Sequence, residues 1–521
     1  MLTKCLIKHS EYHDSVALME TARELTQQPG IDDAAVVMAT EANLALLDEA
    51  GLLVPDIVGA TANDLIIVVR AERQVAADRA LRAAEIHLTR QPVASRVGAA
   101  FQPRTIRSAL RATPNANLAV ISVAGRYAAD EAWVALQNGL HVLLFSDNVS
   151  IEDEVALKQY ASSHGLLLMG PDCGTAIVNG VALGFANALP RGPVGIVAAS
   201  GTGLQEVSTL LAGMGLGITQ GIGTGGRDLK EQVGGLTMLQ GIRALQADPH
   251  TEVLVLISKP PSPAIVERVL AQASQGNKPV VVCFLGGDPA PIQAAGVAPA
   301  RTLQEAAYLA SAQIGAPPAA NVIEQETKRL RAQARKVKSL LRPEQKYLRG
   351  LFSGGTLAVE ALVVWQDTGL ANVYSNVPLD PRLKLQDATR STGHCAVDLG
   401  EDEFTVGRPH PMLDNDLRIR RMLQEAADPN TALILLDVVL GYGVHPNPAG
   451  DLGPAIRDAR QLARDAGREL VVIASVTGTE ADPQVRSRQV QTLEDAGAIV
   501  VSCNAAAARL ASFVVDGKDI S

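Results

Sequence analysis

Two turns of almost bare backbone follow each other in this chain, and both have the residue types that hold an anion. The first is Ser200-Gly201-Thr202-Gly203, after the apolar run 194–198. The second is Gly223-Thr224-Gly225-Gly226, with Arg227 directly behind it. A glycine-rich passage from strand to helix leaves N–H groups unpaired in the first helical turn, and the helix dipole adds positive potential there. Phosphate or carboxylate is the matching ligand, and the Arg227 fork suits a carboxylate held bidentately. A third turn, Ser353-Gly354-Gly355-Thr356, follows the run 347–352. It echoes the first as a weak internal repeat: strand, Ser-Gly turn, then a helix carrying an acid (Glu206, Glu360). Lys259 follows the run 253–258 and suits a phosphate contact. Arg408 and His410 stand in a proline-bounded loop, where His410 suits a general acid. Each feature has a plainer alternative: a tight turn that needs glycine, a solvated cation, a hydrogen-bonded loop histidine. His394 and His445 are weaker candidates.

The elements that position these residues are legible as periodicity. From about residue 100, short apolar runs alternate with amphipathic stretches, which predicts parallel sheets covered by helices on both faces. In such sheets ligands bind beyond the carboxyl ends of the strands. Residues 1–97 read β-α-β then β-α, a small ferredoxin-like or ACT-like module. Doubly wound Rossmann- or flavodoxin-like domains are expected at 98–190, 191–313 and 346–521. Between the last two, residues 314–345 read as a helical linker whose basic run is a solvated face. The fold class is therefore α/β.

Composition removes several classes of function. The formal charge is −9 and aromatics are 3%, which excludes a nucleic-acid partner built on basic patches or stacking platforms. Cys5, Cys173, Cys283, Cys395 and Cys503 are widely spaced with no C-x-x-C pair, so neither a disulfide framework nor a zinc site is expected. Cys173 and Cys395 lie near the turns and read as buried structural thiols. The early charges Lys4, Lys8, Glu11 and Asp14 do not read as a signal peptide. No apolar run reaches the roughly 18 residues of a membrane helix. A cytoplasmic protein without a membrane partner is the expectation.

Longer motifs carry a family resemblance. Met169-Gly-Pro-Asp-Cys-Gly-Thr-Ala176 resembles the segment that closes the CoA-binding domain of the succinyl-CoA synthetase α subunit. Residues 195–202 and 221–226 resemble the strand, helix start and glycine turn of its next domain. The chain is similar over essentially its whole length to the FdrA family, through Phe145-Ser-Asp-Asn-Val-Ser150, Ile222-Gly-Thr-Gly-Gly-Arg-Asp228, Ile257-Ser-Lys-Pro-Pro261, Arg349-Gly-Leu-Phe-Ser-Gly-Gly-Thr356 and the stretch 404–412. The resemblance implies the large subunit of an oxamate carbamoyltransferase. Its substrates would be phosphate, oxalurate or oxamate, and carbamoyl phosphate, and it would work with a companion subunit in a hetero-oligomer. The chain departs from a CoA ligase in three places. No histidine occurs between His250 and His394, so the relay phosphohistidine is missing after the run 280–284. Residues 96–117 contain no G-x-x-G turn, and no Walker A pattern occurs. No cofactor or metal is therefore expected, neither CoA nor ATP. The alternatives are an ADP-forming acyl-CoA synthetase subunit and a non-catalytic anion sensor.

Overall fold

A computed structural model describes residues 2–9, 11, 15–26, 28–39, 43–44, 47–48, 50–57, 59–61, 64–89, 103–319, 321–405 and 409–516. They group into two compact units. The smaller comprises Met1–Arg104 with Glu401–His410. In it the strands Leu2–Lys8, Leu65–Ala71 and Ile31–Met38 form an antiparallel sheet in that order. The central strand reads Leu-Ile-Ile-Val-Val-Arg-Ala and is buried at all but one position. Both its faces are covered, so its sequence runs apolar rather than alternating. Helices Ser15–Thr26 and Gln74–Thr89 complete the expected β-α-β, β-α order.

The larger unit holds the three glycine turns and three sheets. A small parallel sheet is formed by Leu118–Ile121, His141–Leu144 and Leu168–Met169. The second sheet runs Ala298–Pro299, Val280–Phe284, Val253–Ser258, Arg191–Ala198, Ile218–Gly223, with a hairpin at its far edge. The third runs Val373–Ser375, His394–Asp398, Tyr347–Phe352, Thr431–Val439, Val471–Thr477, Ile499–Val501. The two large sheets share one plan. The first strand lies inside the sheet, the chain next fills one side of it, then crosses and fills the other. Strand order therefore reverses beside Arg191–Ala198 and beside Tyr347–Phe352, and the crevice for ligands opens at those carboxyl ends. Ser200 and Ser353 leave just those two strands.

Two elements differ from the sequence expectation. Residues 175–184, expected with the domain before, form the hairpin Thr175–Val178 and Val181–Gly184 on the edge of the second sheet. Its turn is Asn179-Gly180, both at positive φ (52° and 80°), a two-residue hairpin signal that the sequence does carry. The linker helix, Val322–Lys338, is not wholly solvated. It buries Leu330, Ala334 and Val337 in the core shared by both halves and lies along helix Asn504–Asp516. Three apolar residues at spacings of four and three suffice to dock an otherwise charged helix.

The same core contains Leu204, Val207 and Leu211 of helix Gly201–Gly213 and Leu357, Ala358 and Ala361 of helix Gly355–Asp367. The two large sheets are thus joined through the helices that follow the Ser-Gly turns. Elsewhere the packing leaves no tolerance. Gly225 has φ +85°, and a Cβ there would stand 2.2 Å from the Pro171 carbonyl oxygen. Gly225→Ala should lower stability by about 1–3 kcal/mol, read as a reduced urea midpoint by circular dichroism. An unchanged midpoint would show that the turn can move away.

Candidate anion site

The first and third glycine turns face each other. Ser200 Oγ donates to Thr356 Oγ1 at 2.6 Å and accepts the Gly203 N–H at 2.9 Å, which caps its own helix. A Cβ on Gly354 would stand 2.9 Å from Thr202 Cγ2, so only glycine fits against the opposite turn. A Cβ on Gly355 would stand 2.2 Å from Asp398 Oδ2 and 3.1 Å from Lys259 Nζ. Lys259 and Asp398 close neighbouring strand ends of different sheets, and the fold delivers both to the start of helix Gly355–Asp367. First-turn N–H groups have no partner inside their own helix. Those of Gly201, Thr202 and Gly355 sit at half-buried residues beside this junction.

The two turns are not equivalent. Asp437, buried in strand Thr431–Val439, accepts the Ser353 N–H at 2.8 Å, the Ser353 hydroxyl at 2.9 Å and the Gly354 N–H at 2.9 Å. Behind it the buried Arg418 guanidinium donates to the Asp437 carboxylate at 3.2 Å and to its carbonyl at 2.5 Å. Burial lowers the Arg418 pKa, and Asp437 opposes that shift. The second Ser-Gly turn therefore already holds a carboxylate, the chain's own. In the pairings Ala198 with Ile257 and Leu351 with Leu436, the residue that matches Asp437 in the other half is Ser258. The Ser200 turn has no carboxylate at that place.

Glu206 and Glu360 do more than tune their own helices. Glu206 Oε1 accepts the backbone N–H of Asn504 at 3.0 Å, and its other oxygen accepts the Thr477 hydroxyl. Glu360 Oε1 accepts the backbone N–H of Leu303 at 2.6 Å, and Oε2 accepts Asn504 Nδ2 at 2.7 Å. Helix Asn504–Asp516 follows the last strand of the third sheet and helix Leu303–Gln313 the last strand of the second. Each glutamate thus caps a helix of the opposite half. Burial raises both carboxyls; Glu360, with Glu206 close by as a second cause, is pushed up to about 7.

The middle glycine turn has a different task from the one expected. Cβ atoms on Gly223 and Gly225 would strike Thr175 O and Pro171 O, so this turn packs against residues 171–175. Thr224 is fully buried, and Gly226 lies with its would-be Cβ 3.4 Å from Asp172 Oδ2. Arg227, expected to grip a substrate carboxylate, pairs with Glu154 at 2.9 Å and donates to the Val149 carbonyl at 2.8 Å. Lys158 completes that buried network with Glu154 and Asp228 at 2.9 and 2.7 Å. A buried lysine and two buried acids leave the arginine a partner inside the protein. His410 falls in the smaller unit, and Arg408 lies outside the described residues. His394 stands at the amino end of its strand, its Nδ1 accepting the Leu348 N–H, away from the ligand side. His445 is buried against Asp451 at 3.0 Å. Cys173 is buried, its thiol pushed up to about 12, and burial raises Cys395 as well, so neither is a thiolate nucleophile. Asp398 and Asp437 escaped the sequence reading; each ends or nearly ends an apolar strand run, the one available signal.

A family model described as CoA-ligase matches residues 351–514, and one described as the AllF heavy metal-associated domain matches residues 1–103. The uncharacterized protein YahF of Escherichia coli K12 is 45% identical over 525 residues, covering 100% of both chains. The α subunit of the ADP-forming succinate–CoA ligase of Methanothermobacter thermautotrophicus is 29% identical over 178 residues, 34% of this chain and 59% of the relative. That of Aquifex aeolicus is 31% identical over 161 residues, 30% of this chain and 51% of the relative. The chain thus spans little more than half of those subunits. Among solved structures, a dinucleotide-forming acetyl-coenzyme A synthetase from Ca. Korarchaeum cryptofilum covers 78% of this chain and 85% of its own at 17% identity, TM-score 0.28. ATP citrate lyase from Methanothrix soehngenii covers 41% and 38% at 22% identity, TM-score 0.30.

Sheet order, paired Ser-Gly turns and the CoA-ligase match define an α/β protein of CoA-ligase type with a small antiparallel module at its start. The chain belongs to the family of YahF. The metal in the first module's description meets no matching donor set: Cys5 is its one cysteine, and no group of three or more His, Cys, Asp or Glu among the described residues could hold an ion. No helix among the described residues is long and apolar enough to cross a membrane.

The buried glutamates give a pH prediction. A carboxyl raised from its usual 4.5 to about 7 binds more protons folded than unfolded between those values. Its stabilising effect is present below pH 4.5 and lost as pH rises through 7. The thermal midpoint should therefore fall between pH 5.5 and pH 8, with Glu360 contributing about 2 kcal/mol over that window. Glu360→Gln should flatten that fall; an equally steep fall in the variant would place the titrating group elsewhere.

Proposed function

We propose that this chain is a group-transfer subunit of CoA-ligase type, in which phosphate at the Ser200–Gly203 turn attacks a carbonyl carbon held at the opposite turn. The observation that carries the reading is the 2.6 Å contact between Ser200 and Thr356, which brings two helix N-termini to one point. The N–H groups of Gly201 and Thr202 hold the phosphate, and the Lys259 ammonium offsets its charge. The addition step makes an oxyanion, and the first-turn N–H groups at Gly355 and Thr356 are preorganised donors for it. Transfer to phosphate needs no histidine relay, which fits the loop 285–290 after strand Val280–Phe284, where none is present.

The leaving group sets the specific reaction. With oxalurate, the C–N bond breaks and oxamate and carbamoyl phosphate form; the FdrA-type motifs support this form, with a companion subunit and no bound cofactor. The second form is an ADP-forming acyl-CoA synthetase subunit, with the CoA sulfur leaving. The CoA-ligase match and the similarity to succinate–CoA ligase α subunits favour this second form.

Carbamoyl phosphate and oxamate, given to the chain with its companion subunit, should release phosphate if the first form holds. CoA-dependent ATP cleavage without such release assigns the second. In either case Ser258→Asp, which copies Asp437 into the other half, should cut the rate about 100-fold, roughly 3 kcal/mol at the transition state. Ser258→Asn, which matches the Asp variant in shape but carries no charge, should lose far less at an equal melting temperature. Equal losses in the two variants would remove phosphate from the Ser200 turn.

A further inference from the structure

The small parallel sheet is built on one side only. In the two large sheets Arg191–Ala198 and Tyr347–Phe352 each have a strand on both edges. Leu118–Ile121 pairs with His141–Leu144 alone, and among the described residues no strand lies along its other edge. The Asn117 and Ile121 carbonyls accept the His141 and Phe145 N–H groups at 2.8 and 2.9 Å. Backbone groups alternate along a strand, so those of Leu118 and Val120 point away from the sheet. No hydrogen bond among the described residues reaches them. Val120 is 56% exposed.

Other edge strands of the protein are blunted. Leu2–Lys8 carries Lys4 and Lys8, Ile31–Met38 carries Asp32 and Asp33, and Ala298–Pro299 ends in proline. The hairpin edge Val181–Gly184 stops on Gly184 at positive φ (65°). Charge, proline and irregular backbone are the usual means of keeping a stray strand off an edge. The run Asn-Leu-Ala-Val-Ile-Ser at 117–122 has none of them. Such an edge is a template for one more strand, and the charge around it says which kind. From residue 105 to residue 129 the chain carries Arg107, Arg111 and Arg126 and no acid, in a protein whose formal charge is −9. Arg107 and Arg111 are exposed one turn apart on helix Ile106–Ala112, which leads into the strand. A two-fold pairing of this edge with itself would set the positive patch against its own copy, whereas an acidic strand is drawn to it.

We propose that the free edge of Leu118–Ile121 is a docking site for an extended acidic segment of another polypeptide, which adds to the small sheet as a further strand. The backbone groups of Leu118 and Val120 set its register, and Arg107 and Arg111 select its charge. Two end-blocked peptides of about eight residues, a strand's length, test this by fluorescence anisotropy with the full chain. One alternates valine with glutamate, the other valine with lysine. The glutamate peptide should bind at least tenfold more tightly, and added salt should weaken it. Val120→Pro removes one outward N–H and no bond to His141–Leu144, so it should cut binding at least tenfold at an unchanged melting temperature. Arg107→Glu with Arg111→Glu should abolish the preference for glutamate, and this pair alone decides if Val120→Pro lowers the melting temperature. No binding, equal binding of the two peptides, or binding untouched by the variants overturns the proposal. So does a dimer of the purified chain that Val120→Pro dissolves, which would give the edge to a second copy.

Discussion

Glu206 and Glu360 each reach out of their own half of the molecule to cap a helix in the other. Neither carboxylate has water to turn to; at helix Leu303–Gln313 the Thr302 hydroxyl takes the Glu305 N–H, and Glu360 takes that of Leu303. Asn504 ties the pair together, giving its backbone N–H to one glutamate and its amide to the other. A buried polar group left unpaired is expensive, so both caps form or neither half packs correctly. This reciprocal constraint fixes the axis between the helices that carry Ser200 and Thr356. The contact between those hydroxyls, and the meeting of two helix N-termini, follows from it.

Within that near-twofold frame the chemistry is one-sided. Asp437 fills the Ser353 turn and is itself held by Arg418, while the matching Ser258 leaves the Ser200 turn without a resident charge. Two helix dipoles converge, but one is already answered by the protein. That asymmetry leaves the Ser353 turn occupied by the protein's own carboxylate and the Ser200 turn without one. A fold of this type fixes where ligands can sit and not which reaction follows.

The sequence alone determined the long buried strands, because burial between two helical layers demands unbroken apolar runs such as Val253–Ser258 and Val280–Phe284, but not the hairpin 175–184 or the strands Val373–Ser375 and His394–Asp398; it determined the glycine turns, because glycine is required where backbone leaves strand for helix. The resemblance between the Ser200 and Ser353 turns was also visible, as was the missing histidine. Tertiary structure decided everything that depends on a distant partner. Arg227 reads as a substrate ligand until Glu154, on a helix some seventy residues earlier, is placed 2.9 Å away. Glu360 reads as an ordinary helix acid until Leu303 appears above it. Asp437 and Asp398 look like strand endings; sheet pairing sets the first beneath the Ser353 turn, and the packing of the two sheets brings the second, with Lys259, to Gly355. Local periodicity encodes an element because neighbouring residues share its faces. It does not encode which charge meets which, since those distances are set by how sheets and helices pack across the whole chain.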